Sequence, residues 1–318
     1  MKISGFTMGK NAGKLYYPMK ESILSILPLV DEFIVALGDN DPDDTTRQEI
    51  LSINSPKIKI IDTVWDIEAF PRGMEMAHQT DIAKSYCTGD WLFYIQADEV
   101  VHEKYLPVIE KRCRELLDDH EVEGLLFDYK HFWGDYDHYF DAYGWYPKEI
   151  RIIRNDKDIH SWRDAQSFRR IPDFDGKNYR QEKNTFKLKV AWVDACMFHY
   201  GWVRPPGILK SKIREFRILQ RGRSTVEAQA QAVKNYYLFD YGVLNKVPVY
   251  KETHPAVLKE WISRFNWADQ LQYSGKRNPE RVIHKHEKFK YRAKTFIEKK
   301  LLFGYSLGGF RNYILLKK

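Results

Sequence analysis

The chain has 318 residues, of which 43% are hydrophobic and 30% are charged, and its net charge is +7. This composition excludes an intrinsically disordered chain and allows one large core or two modest ones. No apolar run approaches the roughly 18 residues that a membrane-spanning helix needs, which excludes a helical integral membrane protein.

The first hundred residues alternate strand-like and helix-like patterns. The predicted strands are residues 2–7, 32–37, 57–62 and 90–95, and the predicted helices are residues 17–27 and 74–86. Such alternation predicts βαβ units and a mostly parallel sheet.

Two features indicate a cytoplasmic protein. The opening segment, residues 1–10, lacks the apolar core of a secretory signal. Cys87, Cys113 and Cys196 are widely spaced and fit neither an even disulfide framework nor a metal knuckle. We therefore expect buried thiols and cytoplasmic residence.

An acidic turn, residues 38–44, follows the second predicted strand. Ligands of open α/β sheets bind outside the carboxyl ends of the strands. Asp39 and Asp41 are therefore candidates for ligand contact.

The fourth predicted strand is a continuous apolar run, and it ends in Gln96-Ala97-Asp98-Glu99. A strand buried on both faces would hold these carboxylates rigidly at the edge of the sheet. Mg²⁺ and Mn²⁺ prefer oxygen ligands, usually one or two carboxylates together with substrate phosphates. The alternative is a pair of solvated charges that closes the strand.

The later part of the chain predicts a helix at 105–117 and strands at 124–129, 150–154 and 187–198. The last of these strands leads into His199. Beyond Pro205 the pattern is mainly helical. We predict a first domain of residues 1–204 and a helical, basic C-terminal extension of residues 205–318.

The string Gly89-Asp90-Trp91, followed by an apolar strand and by the residues Gln96 to Glu99, resembles the signature of family 2 glycosyltransferases. The resemblance covers residues 2–102 well and 149–204 loosely. It implies a GT-A-like, Rossmann-type α/β fold with a mixed sheet flanked by helices. It also implies metal-assisted, inverting transfer of a sugar from a nucleotide-diphosphate sugar to a saccharide or lipid-linked acceptor, as in polysaccharide biosynthesis.

The resemblance also implies a donor site and a divalent metal, Mn or Mg. Gln96 departs from the family pattern, because a neutral amide replaces the first acid. Asp98 and His199 are the implied metal ligands, and a core histidine is the alternative for His199. The implied donor-binding residues are Thr7, Asp39, Asp41, Arg72, Gln96, Asp98 and Arg204.

Inverting transfer needs a base that takes the proton of the acceptor hydroxyl. Asp164 follows the predicted strand 150–154, where similar enzymes carry this residue, and Glu99 and Asp141 are rivals. The candidates for stabilising the departing diphosphate are Arg163, Arg169 and Arg204.

Residues 127–146 contain ten aromatic side chains. Flat rings with polar tips can cover the apolar faces of sugars, which predicts an acceptor groove. A hairpin that packs its rings into the core is the alternative, but ten rings exceed what one face buries, so we expect some to be exposed. The candidate acceptor residues are Trp133, Tyr143, Trp145 and Trp162.

The basic character is concentrated in residues 276–318, which hold 13 Lys or Arg and 3 Glu. Residues 1–275 therefore have a net charge of −3. The same segment contains the apolar residues Phe296, Leu301, Leu302, Phe303, Tyr305 and Phe310. Contact with an anionic membrane at its inner face is one interpretation, and a solvated helical face is the other.

Two other function classes stay open from the sequence. A sugar-phosphate nucleotidyltransferase would need a Gly-rich basic loop after the first strand. Residues 8–14, which contain two glycines and two lysines, match this description only in part. A non-catalytic protein that binds a nucleotide-sugar or a membrane surface is the second. We expect no nucleic-acid partner.

Overall fold

The computed structural model describes residues 1–140, 143–232, 239–281, 283–301 and 311–316. Its strands form one twelve-stranded sheet. The strands are β1 Ile3–Gly9, β2 Glu32–Leu37, β3 Ile58–Asp62, β4 Trp91–Tyr94, β5 Glu99–Val101, β6 Gly124–Trp133, β7 Tyr139–Phe140, β8 Lys148–Arg154, β9 Ile159–Trp162, β10 Ser167–Arg170, β11 Phe186–Trp202 and β12 Tyr313–Leu315.

The helices flank this sheet and extend the chain at its C-terminal side. They are α1 Met19–Ile26, α2 Thr46–Leu51, α3 Met74–Ser85, α4 Leu106–Glu115, α5 Pro206–Arg221, α6 Arg223–Ala232, α7 Lys259–Ser263 and α8 Phe289–Phe296, which a π-helical turn Ile297–Leu301 follows. No helix among the described residues has the length and apolar character to cross a membrane.

The strand order is β3-β2-β1-β4-β8-β6-β11-β10-β9. The first four strands are parallel to one another, and β8 is antiparallel to both β4 and β6. Strand β5 pairs with β11 in the antiparallel sense. Because β1 to β4 are parallel, their carboxyl ends meet at one edge of the sheet, where ligands of such folds bind.

Alternate residues of the central strands face two different cores. In β2, Phe33, Val35 and Leu37 pack on the side of α1 and α4, whereas Ile34 and Ala36 pack on the side of α3. Burial on both faces explains why these strands are continuous apolar runs in the sequence. The predicted α/β class, a mixed sheet flanked by helices with a mainly helical extension, is confirmed.

The extension shares a third core with the sheet. Phe132, Trp133 and Tyr200 pack there with Tyr241 and Trp267. Strand β12 returns to the sheet and pairs with β11 in the parallel sense. The division at residue 204 therefore stays a prediction, and the two parts are in extensive contact.

The aromatic stretch 127–146 lies largely under this extension. Six of its ten rings are buried, and the other four, Tyr139, Tyr143, Trp145 and Tyr146, are half-buried. The expectation of exposed rings is therefore wrong. Its physical reason is the cover from residues 239–271, which bury the second face that a lone hairpin would leave in water.

Candidate functional site

Asp98 lies in the turn that joins β4 to β5, at the carboxyl edge of the parallel strands. Its backbone carbonyl accepts a hydrogen bond from the amide of Tyr200 at 2.7 Å, which fastens the turn to β11. The residue is only 6% exposed. A buried strand on one side and a paired strand on the other thus fix the carboxylate of Asp98.

The nearest charged partner of Asp98 is Lys212, which α5 supplies. The ammonium donates to Oδ2 of Asp98 at 3.0 Å and to the carbonyl of Gly201 at 2.8 Å. Burial lowers the pKa of Lys212 to about 8, and the nearby Arg204 acts in the same direction. Although burial opposes it, the charges of Lys212 and His199 hold the pKa of Asp98 well below its usual value.

His199 also adjoins Asp98, as the sequence predicts. Its Nε2 is 3.6 Å from Oδ2 of Asp98, and its Nδ1 is 3.0 Å from Nδ1 of His131. Burial lowers the pKa of His131 to about 3, so this ring is neutral. Because Nε2 of His131 bonds to the carbonyl of Tyr146 at 2.8 Å, it carries the proton. Nδ1 of His131 is then an acceptor, and Nε2 of His199 faces Asp98.

The absence of a side chain at Gly201 allows this approach. A Cβ at that position would lie 2.5 Å from Nε2 of His199 and 2.6 Å from Oδ2 of Asp98. Both distances are shorter than non-bonded atoms adopt, so any larger residue would push the carboxylate and the imidazole apart.

Arg204 lies beside Asp98, His199 and Lys212 and is fully buried. These four residues are called the Asp98 cluster below. One guanidinium nitrogen donates to the carbonyl of Leu15 at 2.7 Å. Its Nε and Nη2 have no hydrogen-bond partner among the described residues. The guanidinium of Arg204 and the ammonium of Lys212 lie 4.4 and 4.9 Å from the centre of the Tyr17 ring. The cluster thus holds one fully buried and one half-buried cation against the one carboxylate of Asp98.

Gln96 connects this cluster to the loop of Asp164. Its side-chain amide donates to the carbonyl of Ala165 at 3.1 Å. Arg163 and Ala165, on either side of Asp164, both have a φ of +60°. Strained non-glycine backbone of this kind concentrates at functional sites. The structure therefore brings the loop of the predicted base next to the Asp98 turn.

Asp164 itself is half-buried, and Nε2 of Gln220 donates to its Oδ2 at 3.3 Å. Arg72 lies nearby, because Gly73 adjoins both Asp164 and Gln220. The backbone carbonyl of Arg72 accepts a bond from Arg180 at 3.0 Å. The base candidate thus lies among several arginines.

The acidic turn after β2 lines a cavity of about 350 Å³. Its walls come from the carboxyl ends of β2 and β3 and from α2, and they include Asp39, Asp41 and Thr63. Asp39 pairs with Lys10 at 2.6 Å, and Asp41 pairs with Lys14 at 2.8 Å. Thr7 of β1 is buried, and its hydroxyl has no partner among the described residues.

Glu99 is fully buried, and its carboxylate is fully engaged. Arg151 donates to both of its oxygens, at 2.7 and 2.8 Å, and the hydroxyl of Tyr129 donates at 2.8 Å. This placement does not favour the rival assignment of Glu99 as the base. Asp141, the other rival, lies outside the described residues, as do Leu302, Phe303, Tyr305 and Phe310 of the basic segment.

The four candidate acceptor residues do not form one surface. Trp133 is 3% exposed and donates to the carbonyl of Tyr241 at 2.9 Å, so its ring offers no face to a sugar. Trp145 is half-buried and stacks on Phe140 with ring centres 5.1 Å apart. Tyr143 lies against Lys294, and Trp162 lies against Arg163 and Arg169.

The gathered donor groups do not fit a resident divalent metal. Asp98 and His199 are adjacent, but no group of three or more His, Cys, Asp or Glu side chains suited to a metal occurs in the described ranges. Lys212 engages the same oxygen of Asp98 that faces His199. A divalent ion on that oxygen would lie on the order of 4 Å from the ammonium, and the repulsion would be about 8 kcal/mol at an effective dielectric constant of about 20.

No motif in the sequence marks Lys212. It lies three residues after the buried Leu209 and therefore on the same face of α5, but only the fold determines that this face meets Asp98. His131 and Arg151 were missed for the same reason. Arg151 lies within a predicted strand and His131 lies two residues beyond one, so the partner of each depends on the order of the strands.

No protein-family model matches this chain, and no curated protein matches it. Some solved structures are partly similar. One is glucosyl-3-phosphoglycerate synthase from Mycobacterium tuberculosis in complex with Mn²⁺, uridine diphosphate and phosphoglyceric acid. The match has 18% sequence identity and a TM-score of 0.28, and it covers 40% of this chain and 42% of that chain. Another is residues 1–349 of TarS from S. aureus, at 15% identity, 69% of this chain, 65% of that chain and a TM-score of 0.35. The chain spans less than half of the synthase, and the α/β class rests on the strand order of this chain itself.

Proposed function

We propose that this protein is a glycosyltransferase that moves a sugar from a nucleotide-diphosphate sugar to a saccharide or lipid-linked acceptor. The observation that carries the proposal is the cluster of Asp98, His199, Lys212 and Arg204 at the carboxyl edge of the parallel strands. Its two cations suit a diphosphate, and its carboxylate is rigidly fixed.

The strand order supports a donor that runs along this edge. The cavity with Asp39 and Asp41 lies beyond β2, and Asp98 lies beyond β4, with β1 between them. Neighbouring strands are about 4.8 Å apart, so the two places are separated by roughly 10 Å. A nucleoside in the cavity could therefore extend its diphosphate to Lys212. Thr7, on β1 between the two, has an unpartnered hydroxyl for the same ligand.

Asp164 is the proposed base, and inversion is the proposed stereochemical course. Its carboxylate would accept the proton of the acceptor hydroxyl while the hydroxyl oxygen attacks the anomeric carbon and the diphosphate leaves. The Mn or Mg ion that the resemblance implies stays a prediction, and the donor groups around Asp98 do not favour it.

The loop after β1 argues against the nucleotidyltransferase alternative. A triphosphate would need free cations there, but Lys10 and Lys14 pair with Asp39, Asp41 and Asp43. This arrangement neutralises the loop. The Asp98 cluster, in contrast, carries two cations against one carboxylate.

The decisive experiment is a thermal-shift screen of UDP, GDP, CDP and dTDP, followed by an assay of nucleoside diphosphate release from the matching nucleotide-sugars. A ligand at 100 times its Kd stabilises the fold by about 2.7 kcal/mol. Asp164→Asn should keep the thermal shift and lose transfer, and Asp173→Asn, at an exposed loop position, should keep both. The proposal fails if no diphosphate binds, or if the protein forms pyrophosphate from a nucleoside triphosphate.

Contact with an anionic membrane at the inner face is a second proposal, and exposed apolar residues in the basic segment support it. Phe289, Phe296 and Leu301 are 86%, 61% and 62% exposed. Cations accompany them in the sequence, among them Lys288, Lys290, Arg292, Lys294 and Lys300. Apolar side chains next to cations are typical of helices that lie on anionic membranes.

Co-sedimentation with phosphatidylcholine vesicles, with and without phosphatidylserine, tests this contact. We expect binding that requires phosphatidylserine, weakens with salt and is lost in a Phe289→Ser, Phe296→Ser variant. Val64→Ser is the matched control, because Val64 is 75% exposed and lies outside the segment. Equal binding by the double variant and the control would exclude the membrane role.

A further inference from the structure

Lys212 occupies the position beside Asp98 that a metal ion would need. Its ammonium has three N–H groups, of which Asp98 and Gly201 take two. The third is available to an oxygen of a bound ligand. Lys212 thus brings a positive charge to the site, and the fixed turn of Asp98 orients it.

Arg204 provides an independent indication of an anionic ligand. Its side chain is fully buried, and two of its guanidinium nitrogens have no partner in the described part of the chain. A buried charge whose N–H groups are only partly hydrogen-bonded is costly, so such groups are normally satisfied by a counter-ion. Arg204 lies against the same Tyr17 ring as Lys212, and its charge lowers the pKa of both Lys212 and Asp98, so the two cations belong to one cluster.

The charge balance of the cluster differs from that of a metal site. A pair of carboxylates is what attracts a divalent ion, but Gln96 is neutral and donates its amide to Ala165. Asp98 is the carboxylate of the cluster, and Lys212 already neutralises it. Arg204 then leaves the cluster with a positive net charge, which attracts an anion and repels a divalent cation.

We propose that Lys212 and Arg204, rather than a divalent metal ion, neutralise the diphosphate of the donor, so that donor binding is independent of metal. This inference rests on the proposed function. In the transfer step the acceptor oxygen forms a bond to the anomeric carbon, whose bond to the diphosphate oxygen breaks. The acceptor proton goes to Asp164, and the bonding electron pair leaves with the diphosphate. Lys212 and Arg204 stabilise the negative charge that this adds.

Isothermal titration of the full-length protein with UDP, GDP, CDP and dTDP tests the proposal, with each titration done in EDTA and in Mn²⁺. We expect the nucleotide that binds to have a Kd in EDTA within about twofold of its Kd in Mn²⁺. Lys212→Met should weaken binding in EDTA at least tenfold, or about 1.4 kcal/mol. Lys212→Arg, which keeps the positive charge, should retain most of the affinity for the nucleotide in EDTA.

Arg217→Met is the matched control, because it removes an exposed cation from the same helix and should leave the Kd unchanged. Binding by the wild type only in Mn²⁺ would overturn the inference and leave the proposed function intact. Unchanged binding by a folded Lys212→Met variant would also overturn it. Failure of all four nucleotides under both conditions would instead overturn the proposed function. If Lys212→Met does not fold, the comparison of the wild type in EDTA and Mn²⁺ still decides.

Discussion

Replacement of Arg151 by Met tests whether a buried ion pair holds the Asp98 turn in place. Arg151 and Glu99 are both fully buried, and two hydrogen bonds join them. Arg151 also donates to the carbonyls of Ile150 and Gln166. In the variant, the carboxylate of Glu99 would stay buried. Its donors among the described residues would then be the hydroxyl of Tyr129 and the backbone N–H of Gln96.

The expected cost follows from that uncompensated charge. Removal of one partner of a buried pair typically destabilises a protein by about 3–5 kcal/mol, a large part of a total stability of roughly 5–15 kcal/mol. Urea unfolding at neutral pH, monitored by circular dichroism, measures the change. Since Glu99 adjoins Asp98, we also expect weaker nucleotide binding.

Arg114→Met is the control for this measurement. Arg114 pairs with Glu110 on the surface of α4, with side chains 61% and 45% exposed, and such pairs contribute roughly 0–1 kcal/mol. If Arg151→Met costs no more than Arg114→Met, the buried pair does not stabilise the turn and the reasoning is refuted.

Two further substitutions test the site and the core. Burial raises the pKa of Glu149 to about 7 in the folded state, whereas the unfolded chain loses this proton near pH 4.5. Because the folded state binds the proton more tightly, the free energy of unfolding falls as the pH rises from 4.5 to 7. Urea unfolding should therefore show Glu149→Gln gaining about 3 kcal/mol over wild type between pH 4.5 and 7.5, and a constant difference would contradict this. Gly201→Ala should separate Asp98 from His199 and weaken nucleotide binding at least tenfold by calorimetry, and a wild-type Kd would show that their approach is not needed.

Local pattern was sufficient to predict the first four strands and the position of Asp98 after the fourth. The predicted strands and helices of the first hundred residues lie within two residues of those observed. An apolar run that ends in polar residues marks a buried strand and its edge without knowledge of its neighbours. His199 ends another buried strand, and its Nε2 lies 3.6 Å from the carboxylate of Asp98. The family resemblance, and not the local pattern, implied that these two residues lie together.

Partners that are distant in the chain were beyond such reasoning. Lys212 lies 114 residues after Asp98, and the pattern of its helix does not indicate which residue it contacts. The prediction of exposed rings in residues 127–146 was wrong for a similar reason, because Trp133 is covered by Tyr241, which lies 108 residues later. Local sequence indicates that a ring or a cation is present, whereas its exposure depends on which later segment packs against it.

The contribution of α5 to the Asp98 cluster makes the site a composite of two stretches of chain. During synthesis the turn of Asp98 would emerge long before Lys212, so the sheet edge would carry an unbalanced carboxylate until the helix docks. A fragment ending at residue 204 would keep strands β1 to β11 but would lose β12 and expose the apolar surface formed by Phe132, Trp133 and Tyr200. Exchange of the extension for that of another protein would therefore alter the charge of the ligand site as well as its cover.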